Sequence, residues 1–168
     1  MGTITRTNAN NLTSGVGKVL QVVSTTKTDT FTTTSSSFTD VTGASVTITP
    51  SSASNKIFVT AYTTIGGTTA TISILFRVLR NGTAIGIGTG VSNRPSSSGG
   101  FFPPGTWGIS GNGWHHLDTP SSTSALTYKI QVAAESGFTA TVGRSGSDGD
   151  VTYTGRYPTM ITVTEIAG

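Results

Sequence analysis

Apolar residues recur at every second position through most of this chain, the period of a strand with one face buried. The pattern opens at KVLQVVST, where Leu20 and Val22 share one face and Val19 and Val23 the other. Weaker alternation follows from Thr28 to Thr34 around Phe31 and from Ser37 to Val41. Val46 and Ile48 then alternate until Pro50 stops the strand. KIFVTAYTTI reads differently. Ile57, Val59, Ala61 and Ile65 line one side, but Phe58 and Tyr62 make the other side apolar too. A strand covered on both faces has that signature. The outer face of a two-sheet sandwich is ordinarily polar, so contact with another subunit is the expected cover.

Gly66 and Gly67 turn the chain into TISILFRVLRNGTAIGIG, in which Ile72, Ile74, Phe76 and Val78 alternate inward and Arg77 outward. Asn81-Gly82 is the strongest hairpin signal, because a type I′ turn needs positive φ at both central residues. A glycine-loosened strand returns from Thr83 to Gly88. Leu126, Tyr128, Ile130 and Val132 alternate cleanly with Thr127, Lys129 and Gln131. FTATVGR, VTYTGRY and MITVTEIA read as further strands, with SGSDGD as a turn between the first two. Short strands with turn signals at roughly 8–12-residue spacing predict an all-β, antiparallel β-sandwich, most simply a jelly roll. The expected division is an arm over 1–17 and a jelly roll over 18–168 that displays a long loop over 91–118, with room for a strand in the loop's tail from Trp107 to Leu117.

Composition agrees with strands and narrows the partners. Only 10% of residues are charged, against about a quarter in an average soluble domain. Ser and Thr make up about a third of the chain, and the branched Cβ of threonine suits the pleat. The net charge of +3 is scattered, with no basic patch, so nucleic acid is not an expected partner. The absence of cysteine excludes disulfides and thiolate metal sites. The first residues carry no signal-peptide core, and no run approaches the roughly twenty apolar residues of a spanning helix. The expectation is a protein made without export and not inserted in a membrane.

Three segments, GKVLQVVSTTKTDTFTTTSSSFTDVTGASVTITPSSASNKIFV, FRVLRNGTAIG and DTPSSTSALTYKIQV, occur in that order. Together they look like a family of bacteriophage virion proteins, common in phages of aquatic bacteria and cyanobacteria and described as structural or tail-fibre-like. The resemblance runs from about residue 17 to the end, apart from Val91 to Asp118, which matches no family motif. It implies a jelly roll similar to the trimeric tumour-necrosis-factor-like domains of fibre tips and capsids, and hence a homotrimer. It further implies a place in the virion after synthesis in the host cytoplasm. The partners would then be other virion proteins, either of the tail and baseplate or the major capsid protein. Two roles are expected from it: a tail-fibre or attachment protein contacting the host surface, or a capsid decoration (cement) protein stabilising the phage head. Attachment would use the short arm, with Ile4, Arg6, Asn8, Asn11 and Leu12 as its assembly residues.

The segment from Val91 to Asp118 collects both tryptophans and both histidines. Sugar faces stack on aromatic rings, so Trp107 and Trp114, beside Asn93, Asn112, His116 and Asp118, are the candidate contacts for a host-surface polysaccharide. The opposing reading is that these rings fill the end of the sandwich or an interface. His115 and His116 are adjacent and point to opposite faces if they lie in a strand, so they cannot easily chelate one ion together. Asp148-Gly149-Asp150 lacks the alternating ligands and closing glutamate of a calcium loop and reads as a tight turn. No nucleophile elbow appears, and Glu135 and Glu165, the only glutamates, fall in strand patterns. The expectation is a non-enzymatic protein with no catalytic residues, no metal and no cofactor.

Overall fold

The computed structural model describes residues 17–168, and every helix or strand element among them is a strand. The expected assembly residues Ile4, Arg6, Asn8, Asn11 and Leu12 lie outside the described residues. Period-2 alternation gives β1 (Val19–Lys27), β2 (Phe31–Thr33), β3 (Thr39–Ile48), β4 (Lys56–Gly67), β5 (Ile74–Arg80) and β6 (Thr83–Ile85). β7 (Gly99–Phe101), β8 (Ile109–Asp118), β9 (Leu126–Ala134), β10 (Ala140–Val142) and β11 (Thr159–Ile166) complete the set. Between β5 and β6, Asn81 and Gly82 both have positive φ, 46° and 87°, as a type I′ hairpin requires.

All strand pairs are antiparallel and fall into two sheets. Three strand positions are broken by segments that leave the sheet and return. β1 and β2 form one such position, and β6 and β7 pair the same edge of β5 as a second. β10 and β11 pair the edge of β4 that faces away from β8, forming the third. Counting each broken strand once gives eight positions. Numbered along the chain, they run 1-8-3-6 in one sheet and 2-7-4-5 in the other. That is the strand order of a jelly roll, in which a long hairpin of paired strands is rolled into two facing sheets. The inner faces meet in one core. Ile57, Val59 and Ile65 of β4 are buried with Ile74, Phe76 and Val78 of β5 and Tyr128, Ile130 and Val132 of β9.

Two expectations need correction. The segment 91–118 is not one displayed loop, because β7 and then the ten residues of β8 lie in it. β8 forms because β4 has an edge to offer, and it pairs from Ile57↔Asp118 to Gly66↔Ile109. The strand expected at VTYTGRY does not exist. Residues 143–158 instead leave the sheet between β10 and β11 and fold back over its outer face at Gly66. A Cβ at Gly66 would stand 2.8 Å from the Arg144 carbonyl oxygen and 3.1 Å from Ser145 Cα. Only glycine lets this excursion lie so close.

The β11 end of the sandwich is tied by Glu165, only 1% exposed. Its carboxylate accepts hydrogen bonds from Gln21 Nε2 (2.6 Å), from Asn55 Nδ2, and from the Ser51 backbone N–H (2.7 Å) and hydroxyl (2.8 Å). One acceptor thus joins β1, β11 and the turn before β4. Burial pushes its pKa up, but the hydrogen bonds from Asn55, Gln21 and Ser51 outweigh that and bring it from 4.5 down to about 2. A depressed carboxylate stabilises the fold fully above its unfolded pKa, and the contribution is lost as pH falls through the folded one. Chemical denaturation at a series of pH values is therefore expected to show stability falling between pH 4.5 and about 2. Glu165→Gln, which carries no titrating proton, should flatten that slope. At neutral pH Glu165→Ala should cost about 2–4 kcal/mol, since three donor residues lose a shared buried acceptor.

Candidate functional site

The six residues expected to form a contact site do not come together. Asn93 is exposed in the turn closed by the Val91–Arg94 bridge. Trp107 lies in the connection 102–108 that precedes β8 and is 48% exposed. Asn112, Trp114, His116 and Asp118 alternate on the inner face of β8. At about 3.4 Å per residue, Asp118 stands roughly 30 Å from the start of that strand, the end near which Trp107 lies.

Asp118 is a structural residue. It is 5% exposed, accepts from Arg80 Nη1 at 2.6 Å, and accepts from the Tyr128 hydroxyl at 2.7 Å. Burial, reinforced by the Asp118 carboxylate, raises the Tyr128 pKa above its ordinary value, so the phenol stays protonated and donates. The trio clasps β8 of one sheet to β5 and β9 of the other. Trp114 closes the same side further along. Its indole N–H donates to the Gly86 carbonyl at 3.1 Å, and its ring stacks on His116 with centroids 5.8 Å apart. Gly86 has a φ of 54°, and a Cβ there would meet the indole at 2.6 Å. Neither Asp118 nor Trp114 is placed to receive a polymer from outside. His115, on the opposite face of β8, tilts against Phe58 at 6.2 Å.

The two outer faces of the sandwich differ in kind. On the β3-β9-β5 sheet, Asp40 accepts from Lys129 and Gln131, and Arg77 donates to Gln131 and lies 4.1 Å over the Phe38 ring. That face is solvated and ionic. On the β1-β11-β4-β8 sheet, register aligns Val22, Thr164, Phe58 and Leu117 in one row across four strands. The next rows are Ser24, Thr162, Thr60 and His115, then Thr26, Met160, Tyr62 and Gly113. None of these twelve is Asp, Glu, Lys or Arg. Val22 is 59% exposed and Leu117 47%. The exposed apolar side chains of the first and third rows flank a Ser-Thr-Thr-His row, which makes a neutral face of the kind found at interaction surfaces.

A further cluster forms where the connections gather at the other end. Thr71 N–H donates to the Pro103 carbonyl at 3.0 Å, and Thr68 N–H to the Thr139 carbonyl at 3.3 Å. The excursion 143–158 joins them through Ser147 N–H to the Thr106 carbonyl at 2.7 Å. This sets Trp107 against Tyr153, with ring centroids 5.5 Å apart, and Tyr153 is 75% exposed. Trp107 stands out in the sequence and Tyr153 does not, because its TYTGRY context resembles a strand. Among the described residues, no three His, Asp or Glu side chains gather as a metal site.

The clasp makes a direct prediction. Asp118→Ala should lower unfolding stability by about 2–4 kcal/mol, because it strips both Arg80 and Tyr128 of their acceptor. Thermal and denaturant unfolding check it, and a loss under 1 kcal/mol would contradict the clasp.

No family model matches the chain, and no curated protein is similar to it. Solved structures with some likeness include that of the infectious bursal disease virus Gx strain, with a TM-score of 0.47 and 11% identity over 91% of this chain. The Gt strain of the same virus has a TM-score of 0.42 and 11% identity, and the infectious bursal disease virus VP2 subviral particle 0.40 and 10%. The chain spans only 38% to 39% of the length of those chains. It is the strand order that makes this chain a jelly roll; at such TM-scores these likenesses add nothing to it.

Proposed function

We propose that this chain is a non-enzymatic structural protein of a bacteriophage particle, a homotrimeric tail-fibre or attachment subunit that contacts the host surface. The observation that carries the reading is the outer face of the β1-β11-β4-β8 sheet, whose three central rows carry no Asp, Glu, Lys or Arg and turn Val22, Phe58, Tyr62, Leu117 and Met160 to the outside, with Lys56 at the border. Burying such a face against copies of the same chain removes apolar area from water without stripping any ion of its hydration. The opposite sheet, with its Asp40, Lys129 and Arg77 network, is suited to remain in solvent. The resemblance of the sequence to phage virion proteins with trimeric jelly rolls supplies the copy number and the setting. A threefold axis running along the strands would carry the connections around Trp107 to one end of the assembly in every copy.

Sedimentation of the purified protein should give roughly three times the 17.2 kDa mass of one chain. Leu117→Asp, which places a charge on the face at an exposed position, should yield a folded monomer. A wild-type monomer would remove the trimer from the account. Antibody labelling of intact particles should decorate the tail, and label confined to the head would replace attachment with decoration of the capsid.

A further inference from the structure

The end of the sandwich carries a small site built from the connection 102–108 and the excursion 143–158. We propose that it binds a neutral sugar ring of a surface polysaccharide, with Trp107 and Tyr153 as the stacking shelf and Asp148 and Arg156 as the polar floor. This rests on the attachment reading and names the ligand class and its residues.

A cleft of about 300 Å³ is lined by Asp148, Gly149, Asp150, Val151, Thr154 and Arg156. That volume is at the lower end of small-ligand sites and suits one ring better than a peptide. Its polar groups are held in place before any ligand arrives. Arg156 Nη2 lies 2.6 Å from Asp148 Oδ1, and Arg144 Nε lies 3.7 Å from Asp148 Oδ2. The Thr154 hydroxyl donates to the Gly149 carbonyl at 2.7 Å, and Val151 N–H donates to the same carbonyl at 3.0 Å. Gly149 also brings the turn up to Trp107, since a Cβ on it would stand 3.3 Å from the indole. The shelf and the floor are therefore adjoining parts of one surface.

The chemistry selects the ligand. A pyranose presents C–H faces that pack on aromatic rings and a rim of hydroxyls that both donate and accept. Trp107 is 48% exposed and Tyr153 75%, and the two rings lie at 59° to each other, so together they present aromatic surface to solvent. A fixed carboxylate accepts from hydroxyls, and a guanidinium beside it donates to them. Rigid aromatic side chains give contact area at low conformational cost. Arg156 and Arg144 are both paired with Asp148, so no cation is left over for a phosphate or sulfate, which would also meet the carboxylate of Asp150. Asp150 has no ion-pair partner among the described residues and remains free to accept a hydroxyl.

The test uses the intact protein against immobilised polymers of glucose, mannose, galactose and N-acetylglucosamine, with surface polysaccharide extracted from the bacterium on which the particle grows. Wild type should bind at least one of these, and saturating polymer should change tryptophan emission in wild type but not in Trp107→Ala. Trp107→Ala and Tyr153→Ala should each weaken binding about tenfold, the loss expected when one stacking face is removed. Circular dichroism and solution mass should be unchanged in both variants. Binding to none of the polymers, or equal binding by wild type and both variants, overturns the site. A parallel assay on whole cells separates the two claims. Cells bound equally by wild type and the double variant would leave attachment standing and sink this site. Polymer bound through Trp107 and Tyr153 with no binding to cells would sink attachment and leave the site.

Discussion

Strand β4 is hydrogen-bonded on both edges, to β11 and β10 on one and to β8 on the other, and the rest of the structure depends on that arrangement. Its side chains alternate strictly between the core and the outer face. A slip of one residue would exchange Ile57, Val59 and Ala61 for Phe58, Thr60 and Tyr62, so the buried set holds the register. With β4 fixed, β8 and β11 are aligned on either side, and the inner residues of all three face β5 and β9. The same constraint determines what lies outside. Phe58 and Tyr62 must point away from the core, and the residues aligned beside them on β1, β11 and β8 extend an uncharged surface.

Much of this could be read in the sequence wherever apolar positions alternate. Ile74, Phe76 and Val78, or Tyr128, Ile130 and Val132, leave no doubt about which face is inward, and Asn81-Gly82 marks its hairpin. The two-sided apolarity of KIFVTAYTTI was equally plain. β8 is legible only as a possible strand in the tail from Trp107 to Leu117, for a physical reason. Its inward positions are Asn112, Trp114, His116 and Asp118, and Gly111 and Gly113 lie among them. Such a stretch looks like a loop until the partners are known: Arg80 and Tyr128 for Asp118, and Gly86 for Trp114. The opposite error at VTYTGRY arose because Thr and Tyr favour strands only where an edge is available to pair with. Of the proposed sugar site, Trp107 stands out in the sequence as one of several aromatics in a glycine-rich segment. Tyr153, Asp148 and Arg156 do not, since only the fold of the excursion brings them beside it.

The molecule thus separates its surfaces by chemistry. One sheet faces water with ion pairs and hydrogen bonds, and the other offers a face of Thr, Val, Leu, Phe, Tyr and Met. The buried charges serve the interior: Glu165 ties the strands at one end, and Asp118 clasps the two sheets. The end where the connections meet carries exposed rings beside the Asp148–Arg156 pair.

If copies of the same chain cover the outer face of β4 and its neighbours, that face is closed to solvent in the assembled protein. Hydroxyl-radical footprinting of the unmodified protein in solution addresses it residue by residue. Tyr62, Met160 and Leu117 are open in the single chain, as are Tyr153 and Phe102 at the far end. Coverage by copies of the chain predicts strong labelling of Tyr153 and Phe102 together with protection of Tyr62, Met160 and Leu117. Labelling of all five in proportion to their single-chain exposure would contradict it.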